Sequence, residues 1–123
     1  MSDTRPVVLL VDDEAHILSA LQRVLRREPY EVLTATSTRE ALALLAARAI
    51  AVVVSDQKMP GASGIEFLRE VAARFPATKR VLLTGWPEEI PQRQRDAAQL
   101  AAILPKPWEE EQLKATLQRC AAA

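Results

Sequence analysis

Five residues in this sequence stand where an apolar run stops. Asp12 and Asp13 follow Val7 to Val11, Asp56 follows a run that ends at Val54, Thr84 follows Arg80 to Leu83, and Lys106 follows Ile103, Leu104 and Pro105. Three carboxylates brought together repel one another strongly unless they are protonated or neutralised. An all-oxygen donor set is what a hard, water-retaining Mg²⁺ ion prefers, so a metal site is the economical reason to collect Asp12, Asp13 and Asp56. Singly, each residue has an ordinary explanation: an acidic pair can cap a helix, a terminal Thr can bond within a turn, and a Lys can be solvated. Those explanations lose ground only if the chain carries all five residues to one place, which is a question about its elements.

Val7 to Val11 is a continuous apolar run, as expected of a strand covered on both faces. From Glu14 onward Ile17, Leu18, Leu21, Val24 and Leu25 form a helical stripe, running to about Arg27 and stopped by Pro29. Glu31 to Ala35 reads as a second strand. Ser37 with Glu40 is a capping-box signature for a helix with Leu42, Leu44 and Leu45 on its apolar face. Ala49 to Val54 is the third strand, bounded by Ser55 and Asp56. Met59, Pro60, Gly61 and Gly64 mark a loop, and Ser63 with Glu66 caps a helix whose stripe is Leu68, Val71, Ala72 and Phe75.

Arg80 to Leu83 is the fourth strand. Glu88 to Ala101 is expected to be helical despite a poor apolar pattern, with Pro91 in its first turn, where a missing N–H costs little. Ile103 and Leu104 leave a very short fifth strand. Glu109 to Glu111 suit the positive end of a last helix faced by Leu113, Leu117 and Cys120.

Strands alternating five times with helices predict a parallel sheet covered on both sides, since each parallel crossover normally uses a helix. In such open sheets the binding crevice lies at the carboxyl ends of the strands, near the point where strand order reverses. All five residues are therefore expected at one edge of the sheet.

Composition narrows the function classes. Sixteen basic and sixteen acidic residues cancel, which removes the electrostatic case for a nucleic-acid-binding or membrane-surface module. The apolar runs are far shorter than the roughly 20 residues that cross a bilayer, and no signal-peptide core is visible, so a cytoplasmic location is expected. A single cysteine, Cys120, allows neither an internal disulfide nor a cysteine-based zinc site. The length suits one domain spanning residues 1–123, standing alone or cut from a larger regulator.

Val11, Asp12, Asp13, Glu14, then Ser55, Asp56, Met59, Pro60, Gly64, then Leu83, Thr84, Gly85, then Lys106 and Pro107, taken in this order between the expected strands, resemble the response-regulator receiver family. The resemblance spans nearly the whole chain. It implies a flavodoxin-like, doubly wound α/β domain with five strands ordered 2-1-3-4-5 and five helices. It also implies a switch in two-component signalling that is not an enzyme in its own right. Asp56 would accept a phosphoryl group from a histidine kinase or phosphotransfer protein. Asp13, Asp56, Asp12 partly through water, and the backbone carbonyl of Lys58 would hold Mg²⁺. Lys106 would pair with one phosphoryl oxygen, the Thr84 hydroxyl would bond another, and Gly85 would leave room for the donor. An output domain or effector protein, and a homodimer formed on activation, are the further partners it allows; Lys106, Pro107, Trp108 is similar to receivers joined to cyclic-dinucleotide phosphodiesterase or ATPase regulator outputs.

Two features depart from that pattern. Receivers usually carry Tyr or Phe three residues before the lysine, as a rotamer switch paired with the threonine, and here Ile103 stands there; the fourth helix contains Pro91 and the polar stretch Gln92 to Asp96. Two rival functions remain. A Mg²⁺-dependent phosphohydrolase of the haloacid-dehalogenase kind would form the same aspartyl intermediate, but typically places a second acid two residues after the nucleophile, where this chain has Lys58. An inert pseudo-receiver would only bind a partner, and would have no need of all five site residues. His16 is expected at an exposed helix position, Trp86 near the site, and Trp108 either on a partner surface or packed against the body of the domain.

Overall fold

The computed structural model describes residues 5–122. The expected domain range also includes residues 1–4 and 123, which lie outside the described residues. In chain order the elements are β1 (Val7–Val11), α1 (Ala15–Leu25), β2 (Glu31–Ala35), α2 (Thr38–Ala47), β3 (Val52–Asp56), α3 (Gly64–Arg74), β4 (Lys79–Thr84), a 3₁₀ turn (Pro87–Glu89), α4 (Gln92–Ala98), β5 (Ala102–Pro105) and α5 (Glu110–Ala121). The strands form one parallel sheet in the order β2-β1-β3-β4-β5. This is the flavodoxin-like, doubly wound architecture expected from the alternation of strands and helices.

Alternation along the central strands explains why they read as unbroken apolar runs. Val7, Leu9, Val11, Val53 and Leu82 face a layer formed by Ala41 and Leu45 of α2, Ile65, Leu68 and Val71 of α3, and Ala98 of α4. Val8, Leu10, Val52, Val54, Val81 and Leu83 face the opposite way, onto Leu18, Leu21 and Leu25 of α1 and Leu113, Leu117 and Cys120 of α5. A strand with helices on both sides has no solvent face on which to place polar residues. None of the described helices is long and apolar enough to cross a membrane.

The caps follow the sequence closely. Ser63 and Glu66 make a full capping box at α3. At α2 the Ser37 hydroxyl accepts the Glu40 N–H, but Glu40 reaches back to the Thr36 N–H at 2.7 Å rather than to that of Ser37. The burial of α2 differs from expectation: Ala41 and Leu45 are its buried residues, while Leu42 and Leu44 are half-buried at the rim of the layer. On α3, Ile65 and Phe67 are buried, whereas Ala72 and Phe75 are only partly so.

Several boundaries depart from the sequence reading: α1 ends at Leu25 rather than near Arg27, β4 begins at Lys79 rather than Arg80, and three further differences are larger. The third strand is Val52–Asp56 rather than residues 49–54, because the ladder to β1 and β4 begins at Val52, and Asp56 still pairs with Leu83. Hydrophobicity does not register where a hydrogen-bond ladder ends, so a polar strand residue reads as loop. The single helix expected over residues 88–101 is split. Pro91 adopts an extended conformation (ψ 145°) as the N-cap of α4, leaving Pro87–Glu89 as a separate turn, and Gln99 ends the helix in the left-handed region (φ 48°). The fifth strand is longer than expected, Ala102–Pro105; proline is tolerated there because β5 is an edge strand.

Candidate functional site

β1 and β3 lie side by side at the point where strand order reverses; Asp12 and Asp13 directly follow β1, and Asp56 ends β3. Asp12 and Asp56 are buried while Asp13 is exposed, and each of the three offers an oxygen within 4.8 Å of the others. The Glu14 N–H donates to Asp12 Oδ1 at 2.9 Å, which orients that carboxylate at the start of α1. Lys106 arrives from the far side. Its own N–H donates to the Thr84 carbonyl at 2.9 Å, and its ammonium reaches across β4 to Asp56 Oδ1 at 2.9 Å and Asp12 Oδ2 at 3.2 Å. The Lys106–Pro107 peptide is cis.

The electrostatics of this cluster are unbalanced. Three carboxylates against one ammonium leave two negative charges when all are ionised. At an effective dielectric of about 20, two unit charges about 4 Å apart interact by roughly 4 kcal/mol. Burial, and then the charge of Asp56, push the Asp12 pKa above the ordinary carboxylate range, against the opposing pull of the Glu14 N–H and Lys106. For Lys106, burial acts to lower the pKa, but the hydrogen bonds and charges of Asp56 and Asp12 together outweigh it and the net direction is upward. An all-oxygen set with surplus negative charge fits a hard divalent cation.

The sign of the linkage follows from these directions. Because Asp12 holds its proton more tightly folded than unfolded, its contribution to stability is present below the unfolded carboxylate pKa and is lost as pH rises through its raised folded value. A cation that needs the ionised carboxylate must displace that proton. Stabilisation by Mg²⁺ in thermal melts is therefore expected to be full near neutral pH and to fade on acidification before ordinary aspartates protonate, near pH 3.9. Stabilisation that persists undiminished below that pH would count against Asp12 as a ligand.

Thr84, the last residue of β4, lines a cleft of about 340 Å³ together with Asp56, Lys58, Gly85, Trp86 and Lys106. The Thr84 hydroxyl oxygen accepts the Trp86 N–H at 3.2 Å. The Lys58 ammonium sits 4.1 Å from the centre of the Trp86 ring, so a cation–π pair forms one wall of the cleft. Trp86 is 49% exposed. Trp108 instead packs against the α1 and α5 side of the core, the bland alternative for that residue. His16 is exposed on α1, with Nε2 3.3 Å from Glu14. Ile103 is half-buried on the opposite side of β5, packed against the layer that contains α4.

The fold thus brings Asp12, Asp13, Asp56, Thr84 and Lys106 to one edge, as the strand ends required. The sequence marks Gly64 as a loop residue and as part of the receiver-like pattern, without a steric reason for it. A Cβ there would lie 2.1 Å from the Asp56 carbonyl oxygen, so glycine is what lets α3 start directly beneath the end of β3. The loop between them is closed by the Gly64 N–H bonding the Gln57 carbonyl at 2.8 Å, and by the Ile65 N–H bonding the Gln57 side chain at 2.8 Å.

An acidic pocket at the switch point of a doubly wound sheet, tied by the lysine that follows the last strand, has the form of a signalling receiver. The chain belongs to the response regulator receiver domain family, whose model matches residues 8–118. It is 40% identical over 125 residues to the hydrogenase transcriptional regulatory protein HoxA of Cupriavidus necator, aligning all of this chain with 26% of that protein. It thus spans about a quarter of that relative's length. Among solved structures it resembles the signal receiver domain of an HD domain-containing protein from Pseudomonas fluorescens Pf-5 (TM-score 0.89, 33% identity, 94% of each chain). It also resembles the response regulator protein TrrA of Thermotoga maritima, solved in complex with Mg²⁺ and BeF (TM-score 0.82, 28% identity, 94% of this chain and 98% of that one). The domain is a two-component receiver.

Proposed function

We propose that Asp56 is the phosphoacceptor, that Asp12, Asp13, Asp56 and the Lys58 carbonyl hold Mg²⁺, and that Thr84 and Lys106 bind the phosphoryl oxygens. The observation that carries this reading is the Lys106 ammonium bridging Asp56 and Asp12 inside a cluster that still has surplus negative charge. Bound Mg²⁺ would supply charge neutralisation for an incoming phosphoryl group. The remaining work falls to the chain's own residues. A carboxylate oxygen of Asp56 attacks phosphorus, and the bond to the donor's imidazole nitrogen or acyl oxygen breaks with its electron pair leaving on the donor. Lys106 holds Asp56 in place and pairs with a phosphoryl oxygen, while the Thr84 hydroxyl turns from the Trp86 N–H toward another.

The donor is a histidine kinase or phosphotransfer protein, and the product is a changed surface read by an output domain or effector, with no direct contact to nucleic acid or membrane. Residues 1–123 act as one receiver unit in the cytoplasm, alone or within a larger regulator. The HoxA relatives make a transcriptional regulator the reading best supported for such a whole. Ile103 has no polar tip to swing between solvent and core, so it does not replace the aromatic partner of Thr84.

Intact-mass measurement after incubation with acetyl phosphate should show one added phosphoryl group with Mg²⁺ present and none with a chelator. Labelling that ignores the chelator would contradict the mechanism. The same cleft supplies an optical readout. In a Trp108→Phe variant, Trp86 emission should change when Mg²⁺ and beryllofluoride are added, because the ring shares the cleft with Asp56 and stacks on Lys58. Unchanged emission would detach Trp86 from the site.

A further inference from the structure

Arg80 is a buried charge for which the chemistry of the site has no use. It stands in β4, 6% exposed, and no described carboxylate lies within ion-pair distance of it. Burial pulls its pKa below the ordinary arginine value. Such a charge is tolerated only if its donors are satisfied.

The satisfaction comes from backbone carbonyls on two separate segments. Nη1 donates to the Thr78 carbonyl at 2.6 Å and the Pro76 carbonyl at 3.3 Å, both in the connection from α3 to β4. Nε donates to the Ala98 carbonyl at 2.9 Å and the Gln99 carbonyl at 3.3 Å, and Nη2 to Gln99 at 3.2 Å. The last carbonyls of a helix lack intrahelical partners and carry the negative end of its dipole, so a guanidinium there serves as a cap supplied from the neighbouring strand.

A second arginine works at the other end. Arg95 of α4 donates from Nε to the Ile90 carbonyl at 3.0 Å and from Nη2 to the Pro87 carbonyl at 2.6 Å. Between these ties α4 has only seven residues, one of them buried, and no side-chain N-cap. The arginine–carbonyl bonds therefore add to a small apolar face made by Ala98 with the flanking Ile90 and Leu100. Gly85 and Trp86 have no arginine–carbonyl tie among the described residues; Trp86 is held instead by the Lys58 ammonium over its ring and by its carbonyl accepting the Glu89 N–H at 3.1 Å. Both are exposed, and Trp86 is linked to the site through its N–H to the Thr84 hydroxyl.

We propose that Arg80 and Arg95 brace α4 against β4 and the preceding turn, so that a phosphoryl group at Asp56 displaces the Gly85 and Trp86 segment while α4 keeps its place. The proposal rests on the phosphoacceptor reading of Asp56. Arg80 and Arg95 are positioning residues in this scheme, and neither touches the phosphoryl group.

Amide hydrogen exchange on the parent, Arg80→Met and Arg95→Met, each with and without Mg²⁺ and beryllofluoride, tests it. In the parent the analogue should slow exchange at Thr84, Gly85 and Trp86 by about tenfold and alter Gln92–Ala98 by less than about twofold. In the variants without analogue, α4 amides should exchange about tenfold faster, and the analogue's effect should spread into α4. Arg95 is half-buried, so its variant keeps the test open if Arg80→Met does not fold. Two results would overturn the brace: a parent α4 that responds as strongly as residues 84–86, or unchanged α4 protection in a folded variant. A parent with no response at Asp56 or Thr84 would instead sink the phosphoacceptor reading, and the proposal with it.

Discussion

Asp56→Asn should abolish phosphoryl labelling by acetyl phosphate while leaving the domain folded. The amide matches the carboxylate in shape and can still accept from Lys106, whose ammonium lies 2.9 Å from Oδ1. It removes one negative charge from a cluster whose three carboxylates converge within 4.8 Å, so metal-free stability should hold within about 1 kcal/mol or rise. The proposed reaction, in contrast, loses its nucleophile. Losing the attacking group of a unit that acts together costs on the order of 10³-fold or more in rate. Intact mass and thermal melts check both halves. Labelling within about tenfold of the parent would show that another side chain carries the group.

Gly64→Ala is expected to be the most damaging small substitution near the site. The added Cβ would sit 2.1 Å from the Asp56 carbonyl oxygen and 2.9 Å from the Gln57 Cα, which are backbone atoms with no rotamer to yield. Relief requires α3 to back away from β3, stretching the Gly64 N–H bond to Gln57 and pulling the buried Ile65, Leu68 and Val71 from their layer. Overpacking of this kind costs about 1 to 3 kcal/mol. Because the clash falls on the backbone carbonyl of Asp56, the proposed acceptor, the labelling rate should drop as well. Gly61→Ala, in the same loop, has open space around its Cβ and strains only the backbone at φ 88°, so it should cost less. Equal destabilisation by the two substitutions in denaturant melts would contradict the steric argument.

The convergence of the candidate site residues was legible because they stand at or just beyond strand ends, and strand ends are where apolar runs stop. Asp12, Asp13, Thr84 and Lys106 are found that way, and the alternation of elements then forces them to one edge. Asp56 was found despite a misplaced strand boundary, since it belongs to β3 rather than to the loop after it. What the sequence concealed depends on tertiary neighbours. The contact of Gly64 with Asp56 arises between elements, and so does the stacking of Lys58 on Trp86. The split of the fourth helix is signalled by Pro91, which is the N-cap of a helix starting at Gln92 rather than a first-turn residue of one starting at Glu88. Arg80 left a detectable trace as a charge inside a run otherwise suited to a buried strand, although its partners, four carbonyls, have no sequence signature.

The Lys58 and Trp86 pair also sharpens the contrast with the phosphohydrolase alternative. An enzyme of that kind would want an acid two residues after Asp56 to protonate the leaving group. Here an ammonium occupies that position and is held over an indole ring at the mouth of the cleft.

Borohydride trapping tests the central claim most directly. The domain is incubated with acetyl phosphate and Mg²⁺, reduced so that an aspartyl phosphate becomes homoserine, digested, and mapped by mass spectrometry. Conversion at position 56, dependent on both Mg²⁺ and acetyl phosphate, is the expected result. An unconverted position 56 in labelled protein, or a phosphoryl group on Asp12, Asp13 or His16 instead, would contradict the account.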